Sequence, residues 1–171
     1  MSNSTKNQTK NLVLTALFAA ITFVATAYIM HIPTHTGYIH IGDAFIYLGA
    51  SFLPTPYAMA AGALGAALSD GLTGYAIWII PSVIIKGLTA FLFTSKASTI
   101  LCKRNYFALP CAILLCAGGY YIADVIMTQS FAGPLPSILT NLLQAGVSVV
   151  IYIVVGFLLD KMDFKRRIVN Q

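Results

Sequence analysis

Hydrophobic residues gather along this chain in long runs, and Gly, Pro and polar clusters cut those runs apart. The runs predict six helices, at roughly residues 12–30, 42–53, 56–72, 76–95, 107–128 and 136–159. The second is short. Twelve residues rising about 1.5 Å each reach only ~18 Å, against ~30 Å for a bilayer's hydrocarbon core, so this segment must be tilted, broken or completed by neighbouring protein. Pro54 and Pro56 follow it, remove backbone donors and force a tight turn into the third run.

Composition moves these helices out of water. Hydrophobic residues make up 58% of the 171, charged residues 9%, and the mean hydropathy is +0.81. A water-soluble fold would lack the polar surface to cover such a core, whereas a bilayer accepts apolar side chains facing outward. The expectation is an all-α integral membrane bundle of six transmembrane helices, multi-pass in the cell membrane.

Charge then orients the bundle. The net charge of +5 would suggest nucleic acid for a soluble domain. Here nine of the ten Lys and Arg residues fall in three places: Lys6 and Lys10; Lys96, Lys103 and Arg104; Lys161, Lys165, Arg166 and Arg167. Six spans put all three on one side, and the positive-inside rule makes that side, with both termini, cytoplasmic. The division expected is a polar cytoplasmic tail over 1–11, a membrane domain over 12–160 and a basic cytoplasmic tail over 161–171. No small-residue cleavage site follows the first apolar run, so no removable signal peptide is expected. Loops 31–41, 70–76 and 128–136 share the other face; they carry no Lys or Arg but hold His31, His35 and His40. Cys102, Cys111 and Cys116 lack metal-ligand spacing, and neither a disulfide, a metal nor a cofactor is expected.

The outer helix ends collect polar and aromatic groups. His40, Asp43 and Tyr47, Asp70 and Tyr75, Trp78, Tyr120, Tyr121 and Asp124, Gln129, and Asn141 with Gln144 all fall there. Such a set offers stacking faces and hydrogen bonds to a small, partly aromatic ligand. The competing reading is an interfacial aromatic belt with aspartates facing water. Lys86 lies about ten residues into the fourth helix, where an unpaired cation costs ~2.5–3.5 kcal/mol. An aspartate such as Asp70 or Asp124 would compensate it, or an anionic or carbonyl group of a ligand would. Asn141 and Gln144, three apart, share a helix face and suit either a heterocycle edge or contact between helices. "ALFAA" sets Ala16 and Ala20 four apart with Ala19 beside them, a smooth stripe for close helix approach. No catalytic signature is present: no His/Cys pair in register, no phosphate-cradling glycine loop followed by Lys, no HExxH. No enzyme is expected, and an ATP-powered mechanism would place its motor on another protein.

These residues resemble a known family, the substrate-binding S components of energy-coupling factor (ECF) vitamin transporters. The resemblance rests on the size, the six helices, the "ALFAA" stripe and the block "IHIGDAFIYLGASFLPTPYAMAAGALGAALSDGLTGYAIWIIPSVIIKGLTAFL", similar to the riboflavin, pyridoxine and hydroxymethylpyrimidine branch. It implies a subunit that binds a vitamin at its outer face. That subunit would dock through its first helix, by Ala16, Ala19 and Ala20, onto a transmembrane coupling subunit driven by two ATPases, and would topple in the bilayer to deliver its cargo. His40, Asp43, Tyr47, Asp70, Tyr75, Trp78, Lys86, Asp124, Asn141 and Gln144 are the expected substrate-binding residues. The polar set suits a neutral hydroxylated heterocycle, pyridoxine- or hydroxymethylpyrimidine-like, with riboflavin or a deazapurine precursor as alternatives. Without an Arg cluster, a phosphorylated ligand fits poorly. A stand-alone carrier, proton-coupled through Asp70, Asp124 or His40, is the competing function. A membrane enzyme and a purely structural subunit stand behind it.

Overall fold

The computed structural model describes residues 3–34 and 38–169, so His35 lies outside the described residues. In chain order the elements are α1 (Asn3–Ala27), a short antiparallel hairpin of β1 (Ile32–Pro33) and β2 (Tyr38–Ile39), α2 (Gly42–Phe52), α3 (Thr55–Leu72), a 3₁₀ turn (Ala76–Trp78), α4 (Ile79–Leu92), α5 (Lys103–Thr128), α6 (Leu135–Lys161) and α7 (Phe164–Val169). Among the described residues, three stretches are long and apolar enough to cross a membrane: Thr5–Ala27, Lys103–Thr128 and Leu135–Lys161; the apolar stretch Ala76–Leu92 is shorter. α1 already runs from Asn3, so it takes in polar residues ahead of the apolar run that begins at 12. Likewise the basic segment after Lys161 carries α7.

The short second helix occupies the centre. α1, α3, α4, α5 and α6 follow one another around an arc, each packed on the next in the order α1, α3, α4, α5, α6, while α2 touches α1, α3, α4 and α6. All its residues but Phe45 are buried. Neighbouring helices therefore complete its reach, and its backbone polar groups are shielded without spanning a bilayer alone. Ile46, Leu48, Phe52 and Leu53 fill the core with Phe93, Ile100 and Leu109 from the surrounding elements. Only Leu53 and Pro54 separate α2 from α3. Leu53 is extended, and Pro56 sits in the first turn of α3, where its missing N–H is no loss.

Glycine sets two close approaches. A Cβ at position 42 would meet Thr26 Oγ1 at 1.8 Å, so only Gly lets α2 start against α1. At Gly65 a Cβ would fall 2.9 Å from the Ala19 carbonyl oxygen and 2.8 Å from Thr22 Cβ, which locks α1 and α3 at backbone distance. Both contacts hold α1 against the helices that carry the polar residues described next.

Candidate functional site

Asp43 stands in the first turn of α2, where the N-terminal end of the helix dipole favours a carboxylate, and it is 1% exposed. Its partner is Lys86 of α4, at 2.7 Å from Nζ to Oδ1. The compensating aspartate is thus Asp43, not Asp70 or Asp124. The amide of Gln144 on α6 donates to Asp43 Oδ2 at 3.2 Å, and Cys116 of α5 places its sulfur 3.7 Å from the ammonium and 3.8 Å from the carboxylate. Lys86 Nζ also lies 4.9 Å from the centre of the Tyr120 ring, within cation–π range. Groups from α2, α4, α5 and α6 thus converge on one buried ion pair.

Above the pair lies a polar cavity of about 50 Å³. His40, Asp70, Trp78, Asp124, Asn141 and Gln144 line it, six of the ten substrate-binding residues expected from sequence. A smaller space of about 10 Å³ lies below and is lined by Asp43 and Lys86 together with His40 and Asp70. Tyr47 lines neither space; it is fully buried and stacks on Phe93 at 4.9 Å. Tyr75 also lines neither and packs against Tyr38 of the hairpin at 4.7 Å between ring centres. Gln144 is already engaged at both ends of its amide, because its oxygen accepts from the His40 backbone N–H at 3.3 Å. It holds the hairpin-to-α2 link against α6.

The hairpin covers this end of the bundle. His31 stacks on Tyr38 at 4.2 Å, and the Tyr38 hydroxyl donates to Asp70 Oδ1 at 2.5 Å, a short, charge-assisted bond. Burial, reinforced by Asp70, pushes the Tyr38 phenol above its ordinary range, so it stays protonated and donates. His40 Nδ1 accepts the Gly42 N–H at 3.0 Å. Burial pushes that imidazole down to about 3, with Asp43 pulling the other way and Lys86 and His31 adding to the fall. The ring is therefore neutral near pH 7 and, with Nδ1 accepting, carries its proton on Nε2 as a donor.

Tyr38 and Ser82 were missed in the sequence. Ser82 has a readable signal: it lies four residues before Lys86 and so shares its helix face. Its hydroxyl hydrogen-bonds with that of Tyr120 at 2.8 Å. Tyr38 had none beyond its place two residues before His40, because the cover comes from a hairpin whose strands are two residues each.

On α1, Ala16 and Ala20 are exposed, whereas Ala19 is 6% exposed and packs inward beside Gly65. An apolar groove of about 230 Å³, lined by Ala20, Ile21, Val24, Ala25, Ile29 and Phe45, continues the exposed stripe.

The sequence profile of the family described as ECF-type riboflavin transporter, S component, matches residues 6–161. The chain belongs to this family. No curated protein matches its sequence. As an ECF S component it is a membrane protein and a vitamin-binding subunit of a transporter, in a family of transport proteins and not of enzymes. Its ligand is vitamin-like, its surroundings are a lipid bilayer, and its protein partners are those of an ECF complex.

Proposed function

We propose that this S component captures a neutral, single-ring, hydroxylated heterocycle of the pyridoxine or hydroxymethylpyrimidine kind at the outer face of the cell membrane. The carrying observation is the cavity of about 50 Å³ lined by Tyr38 of the hairpin, Trp78 and Tyr120 together with His40, Asp70 and Asn141. Ligand sites commonly run to about 300–1,000 Å³, so a space this small favours one ring over three fused rings. Asp70 and Asp124 line it without a free cation, since Lys86 is committed to Asp43, and this disfavours phosphorylated ligands. Riboflavin is the second reading, supported by the description of the matching family.

In this reading the hairpin end faces outward and the termini lie in the cytoplasm, following the placement of the basic residues over six spans. The cytoplasmic polar tail, membrane domain and basic cytoplasmic tail keep the limits 1–11, 12–160 and 161–171 as topological regions, with α1 and α7 projecting into the tails. The S component docks on a transmembrane coupling subunit powered by two ATPases through Ala16, Ala20 and the groove beside them. Ala19 leaves the docking set because it faces α3. Tyr47 and Tyr75 leave the ligand set and support it from behind.

Mass spectrometry of small molecules released from the purified, denatured protein, followed by titration, tests the ligand. A stoichiometric single-ring vitamin or precursor is the expected result; riboflavin would select the second reading, and no binding across the panel would overturn both. Bulky residues at Ala16 and Ala20 should abolish uptake while leaving binding intact; unchanged uptake would remove the docking face.

A further inference from the structure

Asp70 is 3% exposed, and its two oxygens differ. Oδ1 receives the Tyr38 hydroxyl, whereas Oδ2 is buried with no hydrogen-bond partner among the described residues. A buried carboxylate oxygen left this way is costly unless something donates to it. Oδ2 belongs to a residue that lines both the main cavity and the 10 Å³ space beneath it. Thr22 Oγ1, on a residue 1% exposed that lines the same lower space, is likewise unpartnered. Lys86 pairs with Asp43, and Ser82 and Tyr120 share a hydrogen bond that uses one of their two hydroxyl protons. A space of ~10–15 Å³ holds one water, or one non-hydrogen atom of a ligand substituent.

We infer that the ligand seats an amino or hydroxyl substituent in this lower space and donates its proton to Asp70 Oδ2, with Thr22 beside it. This rests on the heterocycle-binding reading above and deepens it, because it names the donor that the pocket requires. The same carboxylate then holds the ligand through one oxygen and the hairpin through the other. A molecule of the same shape without the donor leaves Oδ2 buried and unpaired, and a site built to hydrogen-bond a substrate group rejects such an analogue strongly. Asp70 is accordingly a specificity-determining residue.

The test is a binding cycle on the full-length protein in detergent. Pyridoxine, hydroxymethylpyrimidine and riboflavin are titrated beside analogues in which one ring-edge amino, hydroxyl or N–H group at a time is removed. The wild type, Asp70→Asn and Tyr38→Phe are compared. Asparagine keeps one oxygen for Tyr38 but turns an N–H₂ toward the donor, so it removes the acceptor while preserving shape. For the ligand that binds, removal of one donor should cost on the order of 10- to 100-fold in the wild type and nothing further in Asp70→Asn. Tyr38→Phe, which loosens the hairpin and keeps Oδ2, should weaken ligand and analogue by the same factor. If Asp70→Asn also weakens both equally, or if no donor couples to it, Asp70 is only a hairpin anchor and the inference fails while the binding function stands. If the wild type binds none of the three, the functional reading falls and takes this inference with it.

Discussion

At the end of the bundle away from the hairpin, Asn105 is wholly buried, and its amide donates toward Ser51 Oγ, the Thr94 carbonyl and the Ile100 carbonyl at 2.9 to 3.2 Å. Its oxygen accepts from Thr94 N at 2.8 Å. The Tyr152 hydroxyl lies 3.0 Å from Ser51 Oγ and 3.1 Å from the Ile100 oxygen, and Asp160 accepts the N–H groups of Ile100 and Leu101. This network ties α2, α5, α6 and the 93–102 loop into one closed unit. At the hairpin end the same body buries Thr22 Oγ1 and Asp70 Oδ2 around a cavity without hydrogen-bond partners among the described residues. Tyr47 Oη and Ser148 Oγ are also buried without hydrogen-bond partners among the described residues, so the contrast is between a dense network at one end and open lone pairs around a cavity at the other.

The Asp43–Lys86 pair separates the two regions, and breaking it should have the largest effect. Lys86→Met leaves a 1%-exposed carboxylate unpaired, which costs on the order of 3–5 kcal/mol. Thermal unfolding in detergent should show a large loss for Lys86→Met and substantial recovery in the Asp43→Asn/Lys86→Met double variant. Equal stability of the single variant and the wild type would mean that the pair does not hold α2 to α4. A smaller effect is expected from Asn105→Ala, roughly 2–4 kcal/mol for several backbone groups left short of partners. Its folded fraction should bind ligand as the wild type does. Loss of binding in folded protein would erase the distinction between a sealing end and a receptive one.

How far the sequence disclosed this arrangement depends on whether a signal was local. Run lengths located α1 to α6 because apolar stretches and their Pro and Gly punctuation are adjacent in sequence. They misplaced the start of α5 by four residues, 107 against Lys103, since Lys103 and Arg104 read as loop. The helix begins there because Asn105 turns inward to its network, a contact 54 residues away at Ser51. The shortness of α2 was visible at once, but its central position follows only from four neighbours packing round it. Lys86 announced that it needed a partner; which aspartate served was fixed by the rotation of α2, and a one-residue phase change turns a helix by about 100°. Asp70 and Asp124 were legible as candidates by their place at helix ends, whereas the pairing of Asp70 with Tyr38 spans 32 residues and has no local trace. Of the small-residue stripe on α1, Ala16 and Ala20 are exposed and Ala19 is buried, a division that spacing alone does not reveal because it does not say which face meets α3.

The smallest expected effect sharpens the comparison through pH. His40 sits at the receptive end with its imidazole held down to about 3, below the ordinary 6.5, by burial. At pH 7 it is neutral in both folded and unfolded chains and contributes no pH dependence. As pH falls below about 6.5 the unfolded chain takes up a proton that the folded protein refuses until about pH 3, so stability declines across that window. The slope is one proton, ~1.4 kcal/mol per pH unit at most. His40→Gln removes the titrating group, and its stability should fall less steeply between pH 6 and pH 4 than that of the wild type. Asn105→Ala, altered at the sealed end, should keep the wild-type slope with a uniform offset. Should His40→Gln and the wild type follow parallel curves, the imidazole is reaching water and the hairpin does not close over this end as tightly as its stacking implies.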